Sequence, residues 1–548
     1  MKKTCLMLLA VLVMLGAASR LYRPAEKSLW SDEIATIATS LGNSIDPDAY
    51  RLRHERFDSP APVPANVYRL KALQSHGVGN LGQTIEVLKS NVHPPLFFGL
   101  MNLWIHAVGP EPGRLRLPAI FFGILAIPLM YGFALRLADL DSARFSGAAR
   151  PAFALLATGM MALSAYQIDH AQDARQYTLL ILLALSAGWL CLTLVRQAGR
   201  DWRPWLAVGL VLAAGLYTQY FFMWFAGFVI LYLAWQGRRD KAFLLKVAGL
   251  ALLVAGLFGP WLGVFKVQMA FFKLVGHYTA GLWKPLQLPE KLWRIACDFF
   301  LPASPVGKLL PLLILLAALF LGLKQRFLPQ REETGRFAMS PVVVFLLGWL
   351  LVVVGGQVAL DILKQTHTAT IRRYLLLASP ACYLVMAYVL VQMGRQWRYA
   401  KAAWVAGGLS AVLLGLMAFD AFTMLRWEHT SSDEFHQAAG LINASARPDD
   451  LVLVNKTGAM AVGMAYYLRP EIRMWGLDIP DSRLLAPDSA FMRNLETHLE
   501  KRVWLVFSHA APSTQNRLGG WLTDKGYHRL QLEKVPGVQV SLWGRESG

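Results

Sequence analysis

Two neighbouring carboxylates, Asp32 and Glu33, end the sequence Leu-Trp-Ser-Asp-Glu that follows the first apolar segment. Beside a lipid surface, such a pair can act as a general base and as a ligand for a metal ion or a hydroxyl group. The sequence also suits a helix start, because Ser31 or Asp32 fits an N-cap and acidic side chains stabilise the first turn. We predict that Asp32 and Glu33 are catalytic residues, with helix initiation as the alternative.

A histidine, His93, lies in the sequence Asn-Val-His-Pro-Pro at the start of the apolar segment 95–109. A protonated histidine at a membrane surface can bind a phosphate, and a neutral one can position it. The motif also fits a simple helix start, because proline is favoured in the first turn. We predict a substrate or phosphate contact for His93. If a divalent metal ion takes part, its candidate ligands are Asp32, Glu33 and His93.

A dense polar sequence, Asp-His-Ala-Gln-Asp-Ala-Arg-Gln-Tyr, occupies residues 169–177 between two apolar segments. Polar groups at the mouth of a membrane helix are costly unless water solvates them or a ligand uses them. An arginine such as Arg175 can bind a phosphate through two hydrogen bonds. We predict substrate or phosphate contacts for Asp173, Arg175 and Tyr177, with a solvated turn as the alternative.

A pair of arginines, Arg372 and Arg373, comes before Tyr374 at the start of another apolar segment. Such residues also anchor helices at the membrane interface, where arginine side chains reach the headgroups and tyrosine is enriched. Their predicted position opposite the other basic loops favours phosphate binding instead. Residues 217–220, Tyr-Thr-Gln-Tyr, add polar groups at the same predicted level.

The elements that carry these motifs are long apolar runs. Of the 548 residues, 55% are hydrophobic and 16% are charged, whereas a soluble protein carries about a quarter charged residues. Runs of about 17–25 apolar residues cross a membrane as helices. The chain is therefore predicted to be a polytopic α-helical membrane protein. After the first segment, the apolar segments are approximately 95–109, 115–137, 150–166, 176–196, 205–218, 220–236, 243–265, 306–323, 340–358, 374–392 and 402–425.

The formal net charge of +19 comes mostly from short loops between these segments, which indicates topology signals and no nucleic-acid partner. Short loops rich in Lys and Arg face the cytoplasm. All the basic short loops can face the cytoplasm only if segment 95–109 does not cross the membrane. This segment is short for a span, so we predict that it is a re-entrant or interfacial helix. About eleven spans then remain, with a cytoplasmic N-terminus and all four polar motifs on the external face.

The sequence also predicts a division into two domains. The first apolar segment has the style of a signal peptide, but we expect it to be retained as the first span. Residues 1–426 form the predicted transmembrane catalytic domain, with a long external loop 22–94. Residues 427–548 form a predicted small external α/β domain. Its expected strands are 451–455, 503–507 and 538–543, and its expected helices lie near 432–443, 488–500 and 513–525.

Three common signatures are excluded. Residues 77–82 match G-x-G-x-x-G, but they follow no predicted strand and open no βαβ unit, so no dinucleotide site is predicted. The sequence contains no Walker A motif, which argues against an ATP-driven pump. The four cysteines form no CxxC pair and imply neither a disulfide framework nor a zinc site.

Taken in order, the motifs resemble those of the GT-C glycosyltransferases. Within them, the chain is most similar to the bacterial relatives of the protein O-mannosyltransferases and of the lipid A aminoarabinose transferase. The resemblance covers roughly residues 1–425, and the ordered set is more specific than any one motif. Its parts are Leu-Trp-Ser-Asp-Glu at 29–33, His-Pro-Pro-Leu at 93–96, Arg-Leu-Pro-Ala at 116–119, Gln-Asp-Ala-Arg-Gln-Tyr at 172–177 and Arg-Tyr-Leu at 373–375.

The resemblance implies a sugar donor linked to polyprenyl phosphate, and a reaction on the periplasmic face of a bacterial inner membrane with inversion at the anomeric carbon. It also implies that Asp32 is the base or orients the acceptor. The aminoarabinose transferases have a glutamate where this chain has His93, whereas the mannosyltransferases have a similar His-Pro-Pro, so a metal requirement stays open. The expected partners are the donor, membrane lipids and an acceptor that is a lipid, a glycan or a protein.

Two other functions stay open at this point. An oligosaccharide transferase or ligase of the same superfamily would move a preassembled glycan. A transporter or flippase for a lipid-linked sugar would favour polar residues at mid-membrane and internal repeats. The sequence shows neither of these, because its polar motifs are all predicted on one face.

Overall fold

The computed structural model describes most of the chain and divides it into two compact units. The first unit contains Met1–Tyr22, Arg116–Gly263 and His277–Glu428, and the second contains Arg23–Leu115, Val264–Gly276 and His429–Gly548. The predicted span 306–323 lies outside the described residues. These are 2–45, 59, 61–197, 199–275, 284–302, 339–396, 400–427, 434–477, 490–508, 510 and 512–545.

The first unit is helical. Its α-helices are Lys2–Arg20, Leu117–Ala138, Ala149–Leu163, Ala165–Ala171, Tyr177–Arg196, Arg203–Thr218, Phe222–Gln236, Lys241–Phe258, Leu288–Asp298, Pro341–Lys364, Ser379–Gln396 and Ala400–Trp427. The helix Leu262–Val275 begins in this unit and continues into the second. Short 3₁₀ helices cover Asp139–Asp141, Gly259–Trp261, Pro285–Gln287, Thr368–Thr370 and Arg372–Ala378.

Among the described residues, seven helical segments are long and apolar enough to cross a membrane, and the bent pair Ala149–Leu163 and Ala165–Ala171 makes an eighth. The chain is thus a multi-pass membrane protein, as predicted. The count of about eleven spans includes three more segments. Two are the shorter apolar helices Arg203–Thr218 and Phe222–Gln236, and the third is 306–323.

Aromatic side chains build the core of the first unit. The ring of Trp349 lies 4.8 Å from that of Phe225 and 6.1 Å from that of Phe133, so three helices meet around one buried indole. The indole N–H of Trp349 donates to the carbonyl of Leu377 at 2.9 Å. The indole N–H is the single polar group of the Trp349 side chain, and this bond satisfies it inside an apolar core.

The end of the first helix is bound to its neighbours through Arg20. The buried guanidinium donates to the carbonyl oxygens of Met161 and Ala162, at 3.1 and 3.0 Å. These carbonyls belong to the last turn of the helix Ala149–Leu163, where helix geometry leaves carbonyl groups without internal partners. Arg20 therefore caps a second helix while it ends its own.

The second unit contains a six-stranded sheet. Its strands are β1 Val63–Pro64, β2 Leu451–Val454, β3 Arg473–Gly476, β4 Arg502–Ser508, β5 Tyr527–Val535 and β6 Val538–Arg545. Their order across the sheet is β1-β3-β2-β4-β6-β5. Strands β3, β2 and β4 are parallel, and the remaining pairs are antiparallel. Pro64, which has no N–H to donate, lies in an edge strand, where proline is tolerated.

The helices of the second unit come from both ends of the sequence. They are Ser31–Ser40, Ala65–Leu73, Leu81–Leu88, Leu96–Val108, Pro112–Leu115, Phe435–Ser445, Ala459–Tyr467, Ala490–Glu496 and Pro512–Asp524. The predicted strands and helices of 427–548 are confirmed, while β3 and β5 were not predicted. The helix Leu96–Val108 has 13 residues, which reach about 20 Å and fall short of a hydrocarbon core of about 30 Å. Its re-entrant or interfacial placement stays a prediction.

The first long loop and the C-terminal segment belong to one unit. Strand β1, from residues 63–64, pairs with β3, and the Trp475 indole donates to the Ser59 carbonyl at 2.9 Å. The Tyr68 hydroxyl accepts from the backbone N–H of Gly476, also at 2.9 Å. The compact units do not divide the chain at the predicted boundary 426/427, because the second unit also includes residues 23–115. The catalytic role of residues 1–426 stays a prediction.

Candidate functional site

Asp32 and Glu33 lie in the first turn of the helix Ser31–Ser40, in the second unit. The N-cap is Trp30, so neither Ser31 nor Asp32 occupies the expected cap position. Glu33 is buried, and its Oε2 accepts from the Trp30 backbone N–H at 3.3 Å. The Glu33 N–H in turn donates to the Trp30 carbonyl at 3.0 Å. Glu33 thus closes a reciprocal helix cap.

Asp32 has a different environment from its neighbour, since its side chain is partly exposed. Its backbone carbonyl accepts from the Thr36 hydroxyl at 2.8 Å, as in many helices. A carboxylate in the first turn lies near the positive end of the helix dipole, where acidic side chains stabilise the helix. Of the two carboxylates, Asp32 is therefore the one that a substrate can reach.

His93 also belongs to the second unit, three residues before the helix Leu96–Val108. Its carbonyl accepts from the Gln268 amide at 3.0 Å, and the same amide donates to the Leu88 carbonyl at 2.7 Å. Its ring lies 5.8 Å from the ring of Phe98. The backbone is thus fixed by a fully buried glutamine, while the imidazole is half-buried.

The motif 169–177 forms a buried polar cluster in the first unit. His170, Asp173, Arg175 and Tyr177 are all buried. The His170 ring stands 4.7 Å from the Tyr177 ring, and its Nδ1 lies 3.5 Å from the Asp173 carboxylate. The Arg175 guanidinium is 6.0 Å from the Tyr177 ring centroid. The predicted residues Asp173, Arg175 and Tyr177 are therefore brought together around His170.

Two glutamines of the same unit add buried polar groups that we did not predict as site residues. Neither amide atom of Gln176 makes a hydrogen bond to any residue that the structure describes, and the same holds for the amide oxygen of Gln219. Each such group costs free energy unless a ligand or water satisfies it. Gln219 lies in the predicted polar break 217–220, and the structure places the gap between the helices Arg203–Thr218 and Phe222–Gln236 at residues 219–221.

The arginine motif is connected to this cluster through backbone and ring contacts. The Tyr166 hydroxyl donates to the Arg372 carbonyl at 3.0 Å, and the Tyr166 ring lies 4.5 Å from that of His170. The Arg372 guanidinium is half-exposed and lies 3.8 Å from the Asp298 carboxylate. Arg373 lies 5.6 Å from the ring centroid of Tyr374. Within the first unit, the structure thus groups two of the predicted motifs.

An aspartate that we did not predict, Asp361, shapes the loop before the arginines. Its buried carboxylate accepts from the N–H and hydroxyl of Thr368, at 2.9 and 2.6 Å, and from the Ala369 N–H at 2.6 Å. It also accepts from the Thr366 hydroxyl. The sequence contains one signal for Asp361, which is its position near the end of a long apolar run. A charge there is costly unless it has partners.

The proposed metal ligands do not form a cluster. Among the described residues, no three His, Cys, Asp or Glu side chains are grouped so that they could hold a metal ion. Glu33, one of the candidates, is already bonded within its helix cap. The residues present therefore give no support to a metal site made of Asp32, Glu33 and His93.

Known proteins were compared at the levels of sequence and structure. No protein-family model matches the chain, and no curated protein matches it. ArnT from Cupriavidus metallidurans, in the apo state, is similar with a TM-score of 0.50 at 13% identity, over 99% of this chain and 98% of that chain. The same protein bound to undecaprenyl phosphate gives 0.48 at 13% identity, over 98% and 97%.

A second solved structure is that of the arabinofuranosyltransferase AftD from Mycobacteria, with a TM-score of 0.45 at 13% identity, over 100% of this chain and 40% of that chain. The likeness to apo ArnT covers nearly the whole of both chains and therefore shows the architecture. The chain has the fold of the GT-C glycosyltransferases, as the resemblance of its motifs predicted. Identity this low shows the fold and leaves the activity to chemical argument.

Proposed function

We propose that this chain is a membrane glycosyltransferase that moves a sugar from a polyprenyl-phosphate donor to a lipid, glycan or protein acceptor. The acceptor oxygen forms a bond to the anomeric carbon while the bond from that carbon to the donor phosphate oxygen breaks. The acceptor proton passes to a carboxylate, and the prenyl phosphate leaves as an anion. Attack opposite the leaving group inverts the anomeric centre.

The buried cation Arg175 is the observation that carries this proposal. Its guanidinium is almost fully buried beside Tyr177, at the start of a membrane-spanning helix. A charge in such a position is expensive and is typically retained for a function. Arginine binds phosphate oxygens through two parallel hydrogen bonds, and a fixed cation stabilises the negative charge that grows on a leaving phosphate.

We assign the base to Asp32 and the phosphate contacts to Arg175, with further contacts from His93, Asp173, Tyr177, Arg372, Arg373 and Tyr374. Asp32 is the exposed member of its carboxylate pair, which a proton acceptor needs. Glu33 supports it from the helix cap. We further propose that the polar motifs face the periplasm of a bacterial inner membrane, since the short basic loops then face the cytoplasm.

The test is direct turnover of labelled donors. The purified protein in detergent is incubated with a panel of radiolabelled polyprenyl-phosphate monosaccharides, with and without EDTA, and release of prenyl phosphate is followed. We expect Asp32→Asn to lower the rate by about 10²–10⁴-fold, because a general base contributes that much. Glu26→Gln is the matched control, since this exposed carboxylate pairs with Arg23 at 2.6 Å.

Two results would overturn parts of the proposal. If Asp32→Asn retains full activity, Asp32 is not the base. If a folded wild-type protein turns over no donor, the glycosyltransferase assignment fails, and a lipid-flipping assay and transfer of a preassembled glycan become the next experiments. Loss of activity in EDTA would restore the metal hypothesis.

A further inference from the structure

The backbone before Asp32 is bonded to the C-terminal segment of the same unit. The Tyr467 hydroxyl accepts from the backbone N–H of Leu29 at 2.8 Å. One residue earlier, the Ser28 hydroxyl accepts from the backbone N–H of His436 at 3.2 Å. Two consecutive residues, Ser28 and Leu29, are thus fixed by two helices that come more than 400 residues later in the chain.

The Tyr467 hydroxyl satisfies the Leu29 N–H, which would otherwise be buried without a partner, and the Ser28 hydroxyl satisfies an N–H in the first turn of a helix. Ser28 and Leu29 are fully buried, and an unsatisfied buried N–H destabilises its local conformation. His436 is the second residue of the helix Phe435–Ser445, whose first N–H groups have no partner inside the helix. The Leu29 N–H precedes the helix Ser31–Ser40 and depends on Tyr467 in the same way.

Tyr467 is itself held in place. It ends the helix Ala459–Tyr467, and its carbonyl accepts from the Asn443 amide at 2.9 Å. Its ring lies 5.0 Å from the His436 imidazole, with 37° between the ring planes. A phenol on a rigid helix, packed against a second helix, can fix a backbone N–H to within a few tenths of an ångström.

The successive N–H groups before the carboxylates therefore have separate partners. Leu29 donates to Tyr467, and Trp30 donates to the carboxylate of Glu33. Together these bonds set the extended conformation of Trp30, with φ −91° and ψ 170°, from which the helix starts. The direction of Asp32, two residues further on, follows from that turn.

We propose that Tyr467 is a positioning residue for Asp32, through which the C-terminal α/β segment takes part in catalysis. This rests on the proposed function, because Asp32 is the base there. Catalysis depends on orientation, and a small displacement of a reacting group lowers the rate strongly. The C-terminal segment thus has a catalytic task that is independent of any acceptor it binds.

Tyr467→Phe tests this with a matched control in the preceding residue. The Tyr466 hydroxyl donates to the Pro110 carbonyl at 3.0 Å, so Tyr466→Phe removes a comparable bond from the same unit. For Tyr467→Phe we expect kcat for donor turnover to fall about tenfold, with KM changed less than about twofold. Tyr466→Phe leaves kcat unchanged, and hydrogen exchange rises over residues 28–36 in the Tyr467 variant alone.

A double-mutant cycle separates positioning from general destabilisation. In the Asp32→Asn background, Tyr467→Phe should have no further effect on the residual rate, because its effect passes through Asp32. A further tenfold loss there would overturn the proposal, as would equal kcat values for the two phenylalanine variants. If wild-type protein turns over no donor at all, the proposed function fails and the positioning role fails with it. Active wild type with an unaffected Tyr467→Phe removes the positioning role alone.

Discussion

Asp32 and Glu33 are adjacent in the sequence, but burial separates their chemistry. A helix turns by about 100° per residue, so neighbouring side chains point in different directions. Glu33 turns into the protein and bonds to the backbone of Trp30, whereas Asp32 remains partly exposed. The buried carboxylate of Glu33 thus holds the helix start, and the carboxylate of Asp32 is the one that solvent or a substrate can reach.

Substitution of Glu33 can separate these two roles. Glu33→Gln keeps an oxygen that accepts from the Trp30 N–H, as glutamine does in capping boxes, so we expect activity and stability to change little. Glu33→Ala removes that acceptor, and the free energy of unfolding should fall by about 1–2 kcal/mol. Thermal unfolding in detergent and donor turnover measure both effects. An inactive but stable Glu33→Gln protein would show that Glu33 is catalytic.

At the residue level, the sequence predicted that Asp173, Arg175 and Tyr177 belong to one site, because polar groups are costly beside a membrane helix. The structure brings these three residues together, and their function stays a prediction. His170 lies in the same motif, and its place between Tyr166 and Tyr177 depends on helix packing. Gln219 and Asp361 were not predicted as site residues, since burial decides their importance and no local pattern reports it.

At the scale of elements, the loop before Arg372 and Arg373 is organised by one carboxylate. Asp361 lies in the last turn of the long apolar helix Pro341–Lys364 and accepts four hydrogen bonds from residues 366–369. Because backbone N–H groups supply two of these bonds, the loop has little freedom to rearrange. The backbone just before Arg372 and Arg373 is therefore held in one conformation, as a preorganised binding site requires.

Asp361→Asn should loosen this loop. An asparagine has one acceptor oxygen, and its NH₂ group would face a donor, so at least one buried N–H loses its partner. We expect the free energy of unfolding to fall by about 1–3 kcal/mol and KM for the donor to rise. Asp240→Asn is the control, because a single oxygen of Asp240 caps its helix and asparagine caps equally well. Equal stability losses in the two variants would contradict the assignment.

The sequence predicted elements well where one local pattern is sufficient. Apolar runs gave the spans, and buried β-branched runs gave β2, β4 and β6. Strand β5 was missed because most of its residues are exposed and polar, which suits an edge strand and resembles a loop. Strand β1 has only two residues and provides no period to detect. Strand β3 is as short as β2, but its sequence Arg-Met-Trp-Gly contains no β-branched residue.

At the scale of the whole molecule, segments that are distant in sequence make one unit. Residues 23–115 and 429–548 share a sheet and several side-chain bonds to backbone groups. Local patterns do not report such pairing, which explains why the sequence predicted the C-terminal sheet but not the part that residues 23–115 take in the same unit.

Deletion of residues 434–548 should therefore expose the first long loop. The buried faces of Ala65, Tyr68 and Ala72 lose their partners, so we expect trypsin to cut after Arg69 and Lys71 much faster than in the full chain. Limited proteolysis with mass spectrometry measures this, and sites within the first unit serve as the control. Unchanged cleavage at Arg69 and Lys71 would show that the loop folds without the C-terminal segment.

The bond between Leu29 and Tyr467 also has a consequence for biosynthesis, because it joins residues 438 positions apart. Ribosomes add about 5–20 residues per second, so Leu29 waits roughly 20–90 s for its partner to be made. Throughout that interval, the turn before Asp32 lacks its native acceptor. On the proposed function, a nascent or prematurely terminated chain that is already inserted in the bilayer would therefore turn over donor more slowly than the complete chain until Tyr467 has been made.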